Sequence, residues 1–254
     1  MDEEKDPNEK KGPNMKILIV RHGDPDYEND CLTEQGKIEA ELLSRRMEKV
    51  PADYCYVSPL GRAKETASYC LPKMGKKAEE LEWLREFAPK VQRPEKLGVA
   101  WDWCPQDWMS MPDAFDYDKW TEYPALKDAH VREERDWVYA EFEKLLEKHG
   151  YRKEGKWFRA EKPNNDTIVL FCHYGLEAVL LSYLLNLSPF IMWHAMMAAP
   201  TSVTTVVTEE RRQGIAQFRM LSFGDVSHLY AGGVAPSFSG RFRECYTNDY
   251  ERKD

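Results

Sequence analysis

Two stretches of the chain are apolar without interruption, Ile17-Leu18-Ile19-Val20 and Ile168-Val169-Leu170-Phe171-Cys172, and a histidine followed closely by a glycine comes after each. Unbroken β-branched runs of this kind predict buried strands, here Lys16–Arg21 and Thr167–Cys172. Between them the pattern changes period several times. A polar loop, Asp24–Cys31, leads into a predicted helix over Thr33–Lys49, capped by Thr33, with Ile38, Leu42 and Met47 near one face and Pro51 as its stop. Tyr54–Val57 predicts a short strand, and Ser58-Pro59 opens a helix reaching about Cys70 with proline in the first turn. A brief strand follows around Ala78–Leu81. From Ala88 to about His130 the periodicity fades, and Trp101, Trp103, Trp108 and Trp120 lie among prolines and aspartates. Helical spacing returns over Val131–His149, with Trp137, Val138, Phe142, Leu145 and Leu146 as its apolar stripe. Tyr151–Ala160 predicts a hairpin turning at Glu154-Gly155, and Leu176–Leu187 an apolar helix. Ser202–Thr208 and Ile215–Leu221 complete the set as strands around the turn Glu209–Gly214.

Strands alternating with helices place the chain in the α/β class, as a three-layer α/β/α sandwich around a mostly parallel sheet, with the last hairpin as an antiparallel edge. Met1–Asn14 reads as a flexible polar tail, since eight of the first eleven residues are charged. Residues 15–254 are expected to form a single domain with an irregular, tryptophan-rich cap insertion at about 88–130. The tryptophans are expected to build a small local core of their own, which can still wall a pocket.

A formal net charge of −8 argues against nucleic acid as a general partner, though not against a local basic pocket. No apolar stretch approaches the roughly 18 residues of a membrane span, and no signal-peptide profile is visible. The six cysteines form no C-x-x-C pair, and Cys55 and Cys172 fall inside predicted strands as small apolar residues. A reducing, cytoplasmic setting is the expectation.

In an open α/β sheet, ligands bind beyond the carboxyl ends of the strands, where His22 and His173 are predicted to lie. Arg21 and Arg62 bring cations to the same region, which suits an anion such as phosphate. A neutral histidine held by a fixed hydrogen bond is a nucleophile toward phosphorus. Guanidinium groups stabilise the charge on the equatorial oxygens, and a carboxylic acid such as Glu86 protonates the leaving alkoxide. The helices after Ser58 and after His173 are also predicted to aim their amino termini at this region, where free N–H groups favour an anion.

The order and wording of these segments resemble the histidine phosphatase superfamily, the phosphoglycerate-mutase-like proteins. Arg21-His22-Gly23 looks like the family hallmark, and Leu32-Thr33-Glu34-Gln35-Gly36 is similar to its Leu-Thr-x-x-Gly helix opening. Ser58-Pro59-Leu60-Gly61-Arg62-Ala63-Lys64-Glu65-Thr66-Ala67 resembles its Ser-Pro-Leu-x-Arg-Ala-x-x-Thr-Ala element, and His173-Tyr174-Gly175 its second histidine motif. Gly224-Asp225-Val226-Ser227-His228-Leu229 is similar to a late family segment, and Glu86 falls where the family carries its usual proton donor. The likeness spans residues 15–230 and leaves the tryptophan-rich segment unmatched. It implies that His22 becomes phosphorylated, that Arg21, Arg62 and His173 line the phosphate pocket, and that Glu86 protonates the leaving group and then activates water. A small phosphorylated substrate is implied, and no metal or organic cofactor.

The loop Asp24–Cys31 is short and acidic and lacks the longer stretch with which the mutase branch shapes its diphosphate site. That favours a phosphatase. A phosphoglycerate-type mutase and a non-catalytic phospho-ligand binder stand as the alternatives. Asp24 and Asp26 are alternative proton donors, and Glu86 has a plainer reading as a surface carboxylate paired with Arg85 or Arg93. A metal site built from His22, His173 and Glu86 is disfavoured because two arginines in the same pocket repel a dication. His228 is expected to pack or cap at a strand end. His130, His149 and His194 read as ordinary helix or loop residues, and Asn29 is assigned no role. Arg241 and Arg243 either approach the substrate or pin the tail.

Overall fold

The computed structural model describes residues 14–239. Most of the expected amino-terminal tail, together with Arg241 and Arg243, lies outside the described residues. Asn14, counted above with the tail, is anchored: its backbone N–H donates to Asn165 Oδ1 (3.0 Å) and its side-chain amide to the Thr208 carbonyl (2.8 Å).

Eight strands build the central sheet. They are β1 (Lys16–Arg21), β2 (Tyr54–Val57), β3 (Glu79–Glu80), β4 (Tyr151–Glu154), β5 (Trp157–Ala160), β6 (Thr167–Cys172), β7 (Val203–Arg212) and β8 (Ile215–Asp225), in the order β3-β2-β6-β1-β7-β8-β5-β4. The first four of that order are mutually parallel. From β1 outward each neighbour is antiparallel. The antiparallel portion exceeds the single edge hairpin expected, because the Tyr151–Ala160 hairpin joins the same sheet beyond β8. Both β7 and β8 also run further than their apolar residues indicate and meet at a tight turn where Gly214 has φ +78°.

The alternation of side chains along β1 and β6 divides the core. Ile17, Ile19, Ile168 and Leu170 pack with α3 (Val131–Lys148) and α4 (Tyr174–Leu185) on one face. Leu18, Val20, Val169 and Phe171 pack with α1 (Glu34–Met47) and α2 (Gly61–Met74) on the other. Helix, sheet and helix layers therefore form as the pattern predicts. Two short helices, α5 (Pro189–Ala195) and α6 (Ser227–Ala231), complete the frame.

Thr33 caps α1, its hydroxyl accepting the Gly36 N–H at 3.0 Å. The buried face is turned from the one expected, keeping Met47, half-burying Leu42 and losing Ile38. Glu39, Ala40, Leu43, Ser44 and Met47 point inward while Ile38 is exposed. Polar anchoring sets this rotation, since Glu39 accepts the backbone N–H groups of Asp24 (3.0 Å) and Ser237 (2.9 Å). α2 also begins later than expected. Ser58 precedes a proline and stays out of the helix, Leu60 is the cap residue, and the helix continues through Pro72 to a left-handed Gly75.

Segment 88–130 contains a two-stranded ribbon, Lys90–Gln92 with Leu97–Val99, and short helices at Pro105–Trp108 and Pro124–Asp128. Its tryptophans do not make a separate small core. Trp103, Trp108 and Trp120 belong to the same apolar cluster as α3, α4 and α5. Trp120 meets Trp193 edge-on with centroids 5.5 Å apart, and Trp108 stacks on His194 at 4.8 Å. The reason is that α5 presents Phe190 and Trp193 as an aromatic surface, which the segment covers.

Candidate active site

Arg21 of β1 and Cys172 of β6 are register partners in the parallel ladder. The next residue on each strand is a histidine, so His22 and His173 emerge side by side, with ring centroids 5.1 Å apart. Both are buried. His22 Nδ1 lies 2.7 Å from the Gly23 carbonyl. A carbonyl can only accept, so the proton sits on Nδ1 and the lone pair is on Nε2. Arg62 Nε donates toward that lone pair at 3.4 Å. Burial, reinforced by the charges of Arg21 and Arg62, holds His22 well below the ordinary histidine range, so the ring is neutral at neutral pH.

His173 is the extended cap residue of α4. Its Nε2 lies 2.7 Å from Ser58 Oγ, which already accepts the Leu60 N–H at 3.2 Å. Its Nδ1 is buried and has no protein partner among the described residues, so it is the ring atom left open to a ligand. Burial, His22 and the two arginines hold this imidazole well below its usual range too.

Arg21 is buried, donates to the carbonyls of Ala198 (2.7 Å) and Ser239 (3.2 Å), and lies over the Tyr174 ring at 5.3 Å. Arg62 is oriented by Asp30, which accepts its Nη1 at 2.6 Å and the Gly61 N–H at 2.6 Å. Burial opposes ionisation of Asp30, but these donors outweigh it and hold the carboxyl below its usual range. A Cβ on Gly61 would stand 2.1 Å from the Asp30 carbonyl oxygen, so only glycine permits this approach. Thr66 completes the frame, accepting the Gly23 N–H at 3.0 Å.

Glu86 lies at the amino terminus of α4. Its carboxylate accepts from Leu176 (2.9 Å), Gly175 (3.3 Å) and Phe87 (2.8 Å) backbone N–H groups. It does not pair with a neighbouring arginine as the plainer reading expects: Arg85 engages Glu134 and Arg93 engages Asp102. The residue keeps part of its surface open, yet atoms pack densely round the carboxyl. Burial raises it above the usual carboxylate range, against the opposing pull of Arg62 and the three N–H donors. Trp101 borders this group, since a Cβ on Gly175 would meet both Trp101 Nε1 (2.4 Å) and Glu86 Oε1 (2.8 Å). Both helix amino termini predicted to attract an anion thus already hold protein carboxylates, Asp30 at α2 and Glu86 at α4.

The structure brings Arg21, His22, Arg62, Glu86 and His173 together as the sequence suggests. The alternative donors are committed elsewhere. Asp24 accepts the Thr33 hydroxyl at 2.7 Å, and half-buried Asp26, held below its usual range by Asn29, accepts the Asn29 side chain at 2.8 Å. His228 contacts the Thr201 hydroxyl at 3.1 Å, His149 lies between Tyr56 and Asp166, and His194 accepts the Trp103 N–H, all as framework groups. Sequence reasoning missed Asp30 and the Ser58–His173 contact. The aspartate two residues before Leu32-Thr33 was the available signal for the first. For a cation the histidine pocket is unsuitable, because Arg21 and Arg62 border both rings. Among the described residues no helix is long and apolar enough to cross a membrane.

Comparison with known proteins agrees with this geometry. The family model of the histidine phosphatase superfamily (branch 1) matches residues 17–220. No curated protein matches the chain. Among solved structures, a phosphoserine phosphatase of Entamoeba histolytica, in complex with 3-phosphoglyceric acid, is similar at 19% identity and a TM-score of 0.56, over 85% of this chain and 99% of that one. A mycobacterial glucosyl-3-phosphoglycerate phosphatase follows at 19% and 0.51, over 83% and 99%. A phosphoglycerate mutase from Bacillus anthracis stands at 17% and 0.51, over 87% and 97%. These likenesses show a shared fold, and the match over residues 17–220, with two histidines, two arginines and a carboxyl at the strand ends, places the chain in branch 1 of the histidine phosphatase superfamily.

Proposed function

We propose that the protein hydrolyses a small phosphomonoester, without a metal ion, through a phosphohistidine on His22. The observation that carries this reading is the Nδ1–H to Gly23 carbonyl bond, which fixes the tautomer with Nε2 as the attacking atom. In the first step the Nε2 lone pair forms the N–P bond while the P–O bond to the leaving group breaks. Arg21, Arg62 and His173 Nδ1 hold the phosphoryl oxygens, and protonated Glu86 delivers its proton to the departing alkoxide. In the second step the Glu86 carboxylate takes a proton from water, the resulting oxygen attacks phosphorus, and the N–P bond breaks to release inorganic phosphate. The short acidic loop Asp24–Cys31 supports water, rather than a second substrate hydroxyl, as the acceptor. A soluble, cytoplasmic location accords with this chemistry.

The test is to trap the intermediate. Brief reaction with a radiolabelled phosphomonoester and alkaline quench should leave about one acid-labile phosphate per wild-type chain and none on His22→Ala. Equal labelling of the two would remove His22 as nucleophile. A second prediction concerns Asp30. Its pairing with Arg62 is worth only about 0–1 kcal/mol at this exposure, and losing the Gly61 N–H bond and placing alanine at φ +47° cost about 1–2 kcal/mol each, so Asp30→Ala should fold with a moderately lowered melting temperature. Loosening Arg62 should nonetheless lower kcat/KM by about 10- to 100-fold. Unchanged kcat/KM in steady-state assays would show that Arg62 holds its place without the aspartate.

A further inference from the structure

Besides Glu86 at the site, a further carboxylate, this one on α4, stands in the field of Arg21. Glu177 is one turn beyond His173 on the helix, and only 1% of its surface is exposed. Neither oxygen has a hydrogen-bond partner among the described residues. The groups whose charge reaches it are Arg21 from β1, Glu86 from the segment preceding Phe87, Cys172 from β6, and Tyr174 on its own helix. From β7 the Thr204 hydroxyl favours the ionised form from outside good hydrogen-bond geometry. Arg21 is in a matching situation. Its Nη1 is taken by two carbonyls, while its Nε is buried and without a partner among the described residues. A buried cation and a buried carboxylate therefore stand in one another's field with no hydrogen bond between them.

An unpaired buried carboxylate is costly to a fold, so its ionisation follows the charge beside it. In the empty pocket that charge is Arg21, which favours the carboxylate. Once a dianion sits on Arg21 and Arg62, their field is cancelled, and the neutral acid is favoured instead. We propose that Glu177 is a positioning residue that acts as the exchangeable counter-charge of Arg21: ionised when the pocket is empty, it takes up a proton when an oxyanion binds. The inference rests on the reading of the Arg21–Arg62 pocket as the phosphoryl site. Burial raises the Glu177 carboxyl to about 7, against the pull of Thr204 and Arg21 and with a further push from Glu86, so the exchange falls in the neutral range.

Sodium sulfate is the probe, because its own charge does not change across that range. Calorimetric titration of the full-length protein, in buffers of different ionisation enthalpy, counts the protons taken up by the protein. Wild type should lose sulfate affinity by up to about tenfold per pH unit above neutrality, with matching proton uptake. Glu177→Gln, which mimics the protonated acid, should bind with an affinity nearly independent of pH there and without that uptake. Sulfate binding to wild type with no uptake at about pH 8 overturns the coupling, and this arm needs no variant. Uptake that persists in Glu177→Gln also overturns it and assigns the proton to Glu86 or to one of the two histidines. If wild type binds neither sulfate nor phosphate, the phosphoryl-site reading fails first and the coupling falls with it.

Discussion

Replacing His22 with alanine is expected to reduce phosphomonoester turnover by at least about 10⁴-fold. The loss follows from geometry as well as from the missing nucleophile. His173 is close, but its Nε2 is engaged by Ser58, and among the described residues its Nδ1 has no carbonyl partner to fix a tautomer as Gly23 does for His22. Phosphate should still bind, since Arg21, Arg62 and His173 remain. Turnover within tenfold of wild type would eliminate the phosphohistidine route. The variant also carries a stability signature. His22 is held neutral well below its unfolded midpoint, so the folded chain resists a proton that the unfolded chain accepts near pH 6.5. Stability from this group is present above that pH and is lost as the pH falls toward the folded midpoint. His22→Ala should therefore lose less stability than wild type on acidification, as measured by denaturant midpoints.

Glu86→Gln is expected to reduce kcat/KM for an alkyl phosphate by about 10²- to 10⁴-fold, and for an aryl phosphate with a good leaving group by much less. The proton matters most where the departing oxygen is most basic. Glutamine also cannot activate water, so phosphohistidine should accumulate during turnover of the aryl substrate. The pH profile supplies an independent reading. Activity needs neutral His22 and protonated Glu86, so wild-type kcat/KM should fall on the acid side below the ordinary histidine range. It should also fall on the basic side as the pH rises through the raised Glu86 midpoint. The basic fall should be absent from Glu86→Gln. Equal losses on alkyl and aryl substrates would dismiss Glu86 as the acid.

The strand-end histidines were legible because they depend on short-range rules. An apolar run predicts a parallel strand, and parallel register places the residue after each strand at one sheet edge. Arg62 and Glu86 were recognisable by their place in motifs. Asp30 was harder to read, since its role depends on a left-handed backbone (φ +47°) and on Gly61 allowing the loop to approach α2. Glu177 is a carboxylate in an otherwise largely apolar helix, and the sequence pattern assigns it no role. Its significance comes from burial on every side, which no helical period encodes. Ile38 was misplaced because two backbone N–H groups claim Glu39 and turn α1 round. The tryptophans were read as a separate core because the sequence does not show that Phe190 and Trp193 lie opposite them.

That shared aromatic core has a consequence for how molecules reach the histidines. A cap that swings open must carry its own core or leave one behind exposed. Here Trp103, Trp108 and Trp120 are packed into the same cluster as Phe190 and Trp193, so lifting segment 88–130 would uncover several large aromatic faces at once. Each buried aromatic of this size contributes about 1.5–3 kcal/mol, so such an excursion approaches unfolding. The wall beside Glu86 is therefore expected to keep its place, so that segment 88–130 should exchange its buried amide protons no faster than the sheet it packs against.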